Sequence, residues 1–185
     1  MRIYGNRQLK TMPGQAVRPT PARVREALFN IWQGNIVGCR WLDICAGNGA
    51  MGAEALCRDA AEVIGIERHG KTCHIIKENW HKVAKPEQKF RVIRGDAIEK
   101  IKDLSQEKFD RIYFDPPYAS NLYQPVLDAI VKYRILADDG EIAVEHDPKI
   151  WSATIISGLE IYKTKLYGRT ALTFYRLKYC QEIQK

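Results

Sequence analysis

The sequence predicts an α/β fold: a seven-stranded, mostly parallel sheet with helices on both faces and a C-terminal antiparallel hairpin. Three observations lead there. Apolar, strand-like runs alternate with helical patterns between residues 40 and 146, as in a parallel sheet whose crossovers are helices. The first run ends in a glycine-rich turn, Asp43-Ile44-Cys45-Ala46-Gly47-Asn48-Gly49-Ala50-Met51-Gly52, where a strand passes into a helix. After His146 the alternation stops, and two β-rich segments flank the turn Leu166-Tyr167-Gly168-Arg169.

In chain order, Arg2 to Lys10 reads as a short strand or hairpin, followed by the turn-rich TMPGQAVRPTP. A helix comes next: Thr20 is a good N-cap, Pro21 suits the first helical position, and Val24, Leu28, Ile31 and Trp32 form an apolar stripe at helical spacing. Gly34-Asn35 ends it. Strands are expected at Arg40–Cys45, Glu62–Glu67, Phe90–Gly95, Phe109–Asp115 and Glu141–His146, with helices near 49–59, 70–84, 97–103 and 121–134. The hairpin strands are Thr154–Lys163 and Thr170–Tyr179, which close the sheet edge. Trp32, Trp41, Trp80 and Trp151 are expected in the core or at its rim.

With 185 residues the chain is expected to form one domain, 1–185, in which 1–20 is a basic strand or hairpin extension. Hydrophobic content of 45% and charged content of 28% match ordinary folded proteins and exclude disorder, collagen-like repeats and coiled coil. No apolar run approaches the roughly 20 residues that cross a bilayer, and MRIYGNRQLK lacks a signal-peptide core, so a cytoplasmic location without membrane contact is expected. The five cysteines include no CxxC pair, so reduced thiols are expected rather than a disulfide framework or a zinc ribbon. Cys73-His74 lies with His69 and His81 on one expected helix, but positions 69, 74 and 81 do not share the i, i+4 face that a metal site needs, and no metal is expected.

The net charge is +7, unevenly spread. Residues 1–25 hold six basic residues and no acid, and residues 160–185 hold six basic residues against two acids. The body between them is therefore slightly acidic, a pattern that fits a polyanion outside and a neutral or cationic small molecule inside.

Gly47, Gly49 and Gly52 match G-x-G-x-x-G in the strand-to-helix setting that the motif requires, which points to a nucleoside-bearing ligand. Glu67 lies 20 residues after Gly47 at the end of the next strand, where an acid can accept both hydroxyls of a ribose. Asp43, Glu67, Asp96 and Asp115 end or follow four successive strands, so their carboxylates should converge on the crevice at the carboxyl edge of the sheet. Such a crevice repels a pyrophosphate and suits S-adenosylmethionine, which carries a sulfonium and an amino group but no phosphate. For each acid alone, a helix N-cap is the competing explanation.

The sharpest motif is Asp115-Pro116-Pro117-Tyr118, after the apolar strand Ile112-Tyr113-Phe114 and before a helix. An exocyclic amine on a nucleobase is a poor nucleophile because its lone pair is delocalised into the ring. Two acceptors aimed at its hydrogens localise that pair, and the Asp115 carboxylate and Pro116 carbonyl can supply them on a backbone fixed by two prolines. Tyr118 offers a ring face for an extruded base, which a phenylalanine would also supply.

On these residues the chain resembles the Rossmann-like class I S-adenosylmethionine-dependent methyltransferases that modify amines, and within them the bacterial 16S ribosomal RNA guanine-N2 methyltransferases of the RsmD type. The likeness runs from Arg2-Ile3-Tyr4-Gly5 through Arg18-Pro19-Thr20-Pro21-Ala22-Arg23-Val24-Arg25-Glu26-Ala27-Leu28-Phe29-Asn30, the glycine loop and the tetrapeptide to the closing hairpin. The resemblance implies that S-adenosylmethionine meets Asp43, Gly47, Gly49, Glu67 at its ribose, Arg68, and Asp96 with Ala97 at its adenine. It implies that Asp115, Pro116, Pro117 and Tyr118 hold the target base. Arg2, Arg7, Lys10, Arg18, Thr20 and Arg23 are then expected to position ribosomal RNA, naked or within a partly or fully assembled small ribosomal subunit. Asn48 stands where the family commonly has Ser, and no departure falls on an expected catalytic position. The competing readings are adenine-N6 methylation of DNA, an NAD-dependent oxidoreductase on the same glycine fingerprint, and a catalytically silent RNA-binding module.

Overall fold

The structure, a computed structural model, describes residues 1–11 and 21–178. Strands β1 (Arg2–Ile3) and β2 (Arg7–Gln8) pair antiparallel around a turn at Gly5, whose φ of 67° suits glycine because a side chain crowds that region. There follow α1 (Ala22–Ile31), β3 (Arg40–Ile44), α2 (Ala50–Cys57), β4 (Glu62–Glu67), α3 (Gly70–Val83), β5 (Lys89–Arg94), α4 (Ala97–Asp103), β6 (Phe109–Phe114) and α5 (Tyr123–Lys132). The chain then forms β7 (Leu136–His146), β8 (Leu159–Tyr167) and β9 (Thr170–Leu177).

Seven strands make one sheet in the order β5-β4-β3-β6-β7-β9-β8, parallel through β7, with β9 antiparallel to both of its neighbours. The order reverses between β3 and β6, where a crevice opens at the carboxyl edge. The fold is the expected one. Strand alternation divides the core into two layers: Trp41 and Val63 pack with residues of α1, α2 and α3, while Leu42, Ile44, Ile64 and Ile66 pack with those of α4 and α5. Trp32, Trp41 and Trp80 are wholly buried, and Trp151 stacks on Tyr123 at 4.3 Å.

Most boundaries shift by one or two residues, and the expected end of the last strand at Tyr179 lies outside the described residues. Strand β8 runs on to Tyr167 instead of Lys163, so the expected turn Leu166-Tyr167-Gly168-Arg169 narrows to Gly168-Arg169, with Tyr167 paired to Thr170. Three further boundaries differ for a clear reason. Helix α1 starts at Ala22 with Pro21 in the capping position, accepting from the amides of Val24 and Arg25; Thr20, expected as the cap, lies outside the described residues. Strand β7 begins at Leu136 instead of Glu141, because the turn-like Asp138-Asp139-Gly140 forms an irregularity in the ladder with β6. A Cβ at Gly140 would stand 2.8 Å from the Ala137 carbonyl oxygen, so only glycine permits that bulge. Strand β8 begins at Leu159 instead of Thr154, since Gly158 has φ 85° and the Thr154 carbonyl accepts from the Tyr175 hydroxyl at 3.2 Å.

The N-terminal strand pair is fastened to the body by a buried ion pair. Arg25 donates through Nε to Glu54 at 2.6 Å and through Nη2 to the Arg2 carbonyl at 2.9 Å, and Arg58 reaches the other Glu54 oxygen at 2.9 Å. The sequence places Arg25 in the basic end, but it is buried beneath that end. Among the described residues no helix is long and apolar enough to cross a membrane.

The glycine motif works largely as packing. A Cβ on Gly52 would lie 2.3 Å from Trp80 Cζ2 and 2.9 Å from Val63 Cγ1. Gly52→Ala is expected to destabilise the protein by about 1–3 kcal/mol through overpacking, seen as a lower urea midpoint at unchanged m-value.

Candidate active site

A cleft of about 660 Å³ opens at the carboxyl edge of the sheet. Each strand from β3 to β7 sends an acid into its lining: Asp43, Glu67, Asp96 after β5, Asp115 after β6, and Glu145. Against these five carboxylates the lining sets Arg68 and His69.

Asp43 is 1% exposed, and its Oδ2 accepts from the Gly52 amide at 3.0 Å, so it ties β3 to the first turn of α2. Burial pushes its carboxyl up to about 8, the Gly52 amide opposes that rise, and the nearby Glu67 adds to it. The folded state therefore holds a proton that the unfolded chain releases near pH 4. Between these values the folded state binds more protons, so this group's contribution to stability is greatest below pH 4 and is lost as pH rises towards 8. Asp43→Asn keeps an acceptor for Gly52 and should remove that slope, so the stability difference between variant and wild type, measured by urea unfolding from pH 4 to 8, should move in favour of the variant with rising pH.

Glu67 accepts from Gly47 at 3.0 Å through Oε2 and from His69 at 2.8 Å through Oε1, which holds the glycine turn beside it and leaves each oxygen a further lone pair. Asp96 caps α4, accepting from Ile98 at 2.9 Å and Glu99 at 3.4 Å, so the N-cap explanation holds for this acid while Asp96 and Ala97 also line the cleft. Gly47 lines the cleft. Gly49, expected beside the cofactor, instead has φ 73° and gives its carbonyl to the Trp80 indole at 2.8 Å, behind the lining. Cys45 also reaches the cleft, where burial and the surrounding carboxylates push its thiol up, away from a nucleophilic role.

The tetrapeptide stands on the opposite side. The Asp115 amide donates to the Ile44 carbonyl at 3.3 Å, binding the start of the loop to β3, and Asp115, Pro116, Pro117 and Tyr118 all line the cleft. The Tyr118 hydroxyl lies 3.1 Å from Glu145 and 3.2 Å from Thr170 Oγ1. Burial pushes this phenol up, and the Glu145 and Asp115 charges add to the shift, so it stays protonated. Sequence reasoning did not single out Glu145. The signal was present, since the fifth strand, like the first four, carries an acid at its carboxyl end.

Of the basic residues expected to position RNA, none that is described lines the cleft. Arg2, Arg7 and Lys10 are exposed on the N-terminal pair, Arg2 bonded to Asn6 at 2.6 Å and Lys10 to Glu78 at 2.9 Å. Arg23 is exposed two residues past the cleft-lining Pro21, with its guanidinium 5.9 Å from the centre of the Tyr167 ring. Arg18 and Thr20 lie outside the described residues. The N-terminal segment also touches the glycine turn: Asn79 exchanges hydrogen bonds with the Lys10 backbone and donates to the Asn48 carbonyl at 3.0 Å, while Asn48 donates to Met1 Sδ at 3.4 Å. Among the described residues no group of three or more His, Cys, Asp or Glu is arranged to hold a metal.

This sheet order, with an acidic crevice at its reversal point and Asp-Pro-Pro-Tyr after the fourth strand of the parallel series, defines a class I methyltransferase. Residues 1–176 match the family described as "Conserved hypothetical protein 95", and the chain belongs to it. It is 31% identical over 172 residues to YlbH of Bacillus subtilis, covering 92% of this chain and 93% of that one. It is 28% identical over 180 residues to ribosomal RNA small subunit methyltransferase D of Escherichia coli, covering 95% and 89%. The solved structure of yhhF from Escherichia coli superposes with a TM-score of 0.82 at 28% identity, over 96% of this chain and 98% of that one.

Proposed function

We propose that this protein transfers a methyl group from S-adenosylmethionine to the exocyclic N2 amine of a guanine in small-subunit ribosomal RNA. The observation that carries the reading is the placement of Asp115-Pro116-Pro117-Tyr118 across one acidic cleft from the Glu67-braced glycine turn. The names of the relatives support ribosomal RNA as substrate.

The cleft fits the cofactor by its chemistry. Five acidic side chains line a space to which only Arg68 and His69 bring basic groups, and burial, with a further push from the neighbouring Glu67, raises the Asp43 carboxyl there. A sulfonium and an ammonium group bring positive charge to it, whereas the pyrophosphate of NAD would meet repulsion. When bound, the cofactor supplies an electrophilic methyl group. Glu67 is placed to accept the ribose hydroxyls, Asp96 and Ala97 to border the adenine, and Asp43 and Arg68 to complete that side. The Asp115 carboxylate and Pro116 carbonyl accept the two amine hydrogens, concentrating the nitrogen lone pair towards the methyl group, while Pro117 fixes the turn and Tyr118 receives the ring. The proton released after transfer has Asp115 as its nearest acceptor.

Arg2, Arg7, Lys10 and Arg23, with Arg18 and Thr20 beyond the described residues, are proposed to position the RNA backbone, whose phosphates the acidic cleft excludes. The same acid–base partition suits RNA already folded in a small-subunit particle, presented to a single domain in the cytoplasm. The test is nucleoside mass spectrometry of small-subunit RNA from cells with and without the gene. Loss of one N2-methylguanosine that the purified protein restores in vitro supports the reading; an unchanged nucleoside profile refutes it.

A further inference from the structure

Glu145 stands outside the tetrapeptide and is only 2% exposed at the end of β7, yet it lines the cleft. One of its oxygens accepts from the Tyr113 hydroxyl of β6 and the other from the Tyr118 hydroxyl at 3.1 Å. Since a phenol has one proton to give, the Thr170 hydroxyl, 3.2 Å away, donates to the Tyr118 oxygen in turn. Thr170 is buried at the first position of β9, paired with Tyr167 across the hairpin turn. Three elements thus meet on one phenol oxygen: the loop after β6, the end of β7 and the start of β9.

Stacking needs only a ring face, and a phenylalanine would provide it. A buried carboxylate is costly unless it is well bonded, and hydrogen bonds to its charge are stronger than those between neutral groups. Here they act at the far end of the ring, where restraint most limits its tilt. We propose that Glu145 is a positioning residue for methyl transfer: acting through the Tyr118 hydroxyl, with Thr170 on its other side, it fixes the ring against which the target base docks with its amine at Asp115. The inference rests on the functional reading above, and it gives the hydroxyl of Tyr118 a task that the sequence alone did not suggest.

A double-mutant cycle tests it. Wild type, Glu145→Gln, Tyr118→Phe and the double variant are compared for kcat/KM on substrate RNA and for the Kd of S-adenosylmethionine. Each single variant should lose about tenfold in kcat/KM, the size expected for a lost charge-assisted hydrogen bond. The double variant should also lose about tenfold rather than about a hundredfold, because without the hydroxyl the Glu145 carboxylate no longer acts on the Tyr118 ring. Cofactor Kd should stay within about twofold throughout, since the affected contacts lie on the base side. Thr170→Val, which removes the second bond at nearly constant shape, runs the same cycle from the other side should Glu145→Gln fold poorly. Losses that multiply in the double variant, or wild-type kcat/KM in Glu145→Gln, overturn the inference while leaving the functional reading intact. A wild type that methylates no guanine in small-subunit RNA refutes the functional reading and this inference with it.

Discussion

Asp115→Ala is expected to lower the single-turnover rate at saturating RNA by about 100-fold or more, with the Kd of S-adenosylmethionine nearly unchanged. The two outcomes separate because of where the residue sits. The proposed cofactor contacts are built on the ends of β3, β4 and β5, whereas Asp115 follows β6, its backbone amide bonded to the Ile44 carbonyl of β3. Its carboxylate gains importance as the amine hydrogens become acidic during transfer, so the interaction is strongest in the transition state. Asp115→Asn should recover part of the loss, because one amide oxygen remains an acceptor but without the charge. A rate equal to wild type in Asp115→Ala would reduce the tetrapeptide to a turn at the end of a strand.

The second large effect is on stability. Glu54→Ala should cost about 3–5 kcal/mol, because it leaves the buried Arg25 guanidinium and its neighbour Arg58 without their shared carboxylate. Arg25 reaches Glu54 at 2.6 Å with side chains 5% and 2% exposed, so water offers no substitute partner. Chemical denaturation measures the loss. Protection of amides in β1 and β2 should fall with it, since Arg25 also holds the Arg2 carbonyl. A change below about 1 kcal/mol, the range of exposed pairs, would mean that the site relaxes enough to admit solvent.

Most of the fold was legible because its elements announce themselves locally. Strand β4 is a continuous apolar run between charged ends, and Asp96 caps α4 where the sequence places a helix. The start of β7 was not legible, because Asp138-Asp139-Gly140 has turn composition and becomes strand only by pairing across a bulge with β6. On the site, acids at strand ends located the cleft, since that rule follows from topology. The division of labour among the motif glycines was hidden: Gly47 meets the cleft, while Gly49 and Gly52 make room for Trp80, a residue 28 positions beyond Gly52. Arg25 was hidden for the same reason, because a charge count cannot tell a solvated arginine from one paired with a glutamate on another helix.

The position of β9 also has a meaning for how the protein comes into being. It is the last of the described strands in sequence but an interior one in the sheet, inserted between β7 and β8. On the ribosome, where a chain grows at about 5–20 residues per second, every residue proposed to hold the cofactor has been synthesised by Ala97, while Thr170 follows only after dozens more. Translation therefore delivers the two halves of the cleft seconds apart. The nascent chain has its proposed cofactor residues first, and Tyr118 waits for its bond to Thr170 until the hairpin has folded back into the sheet.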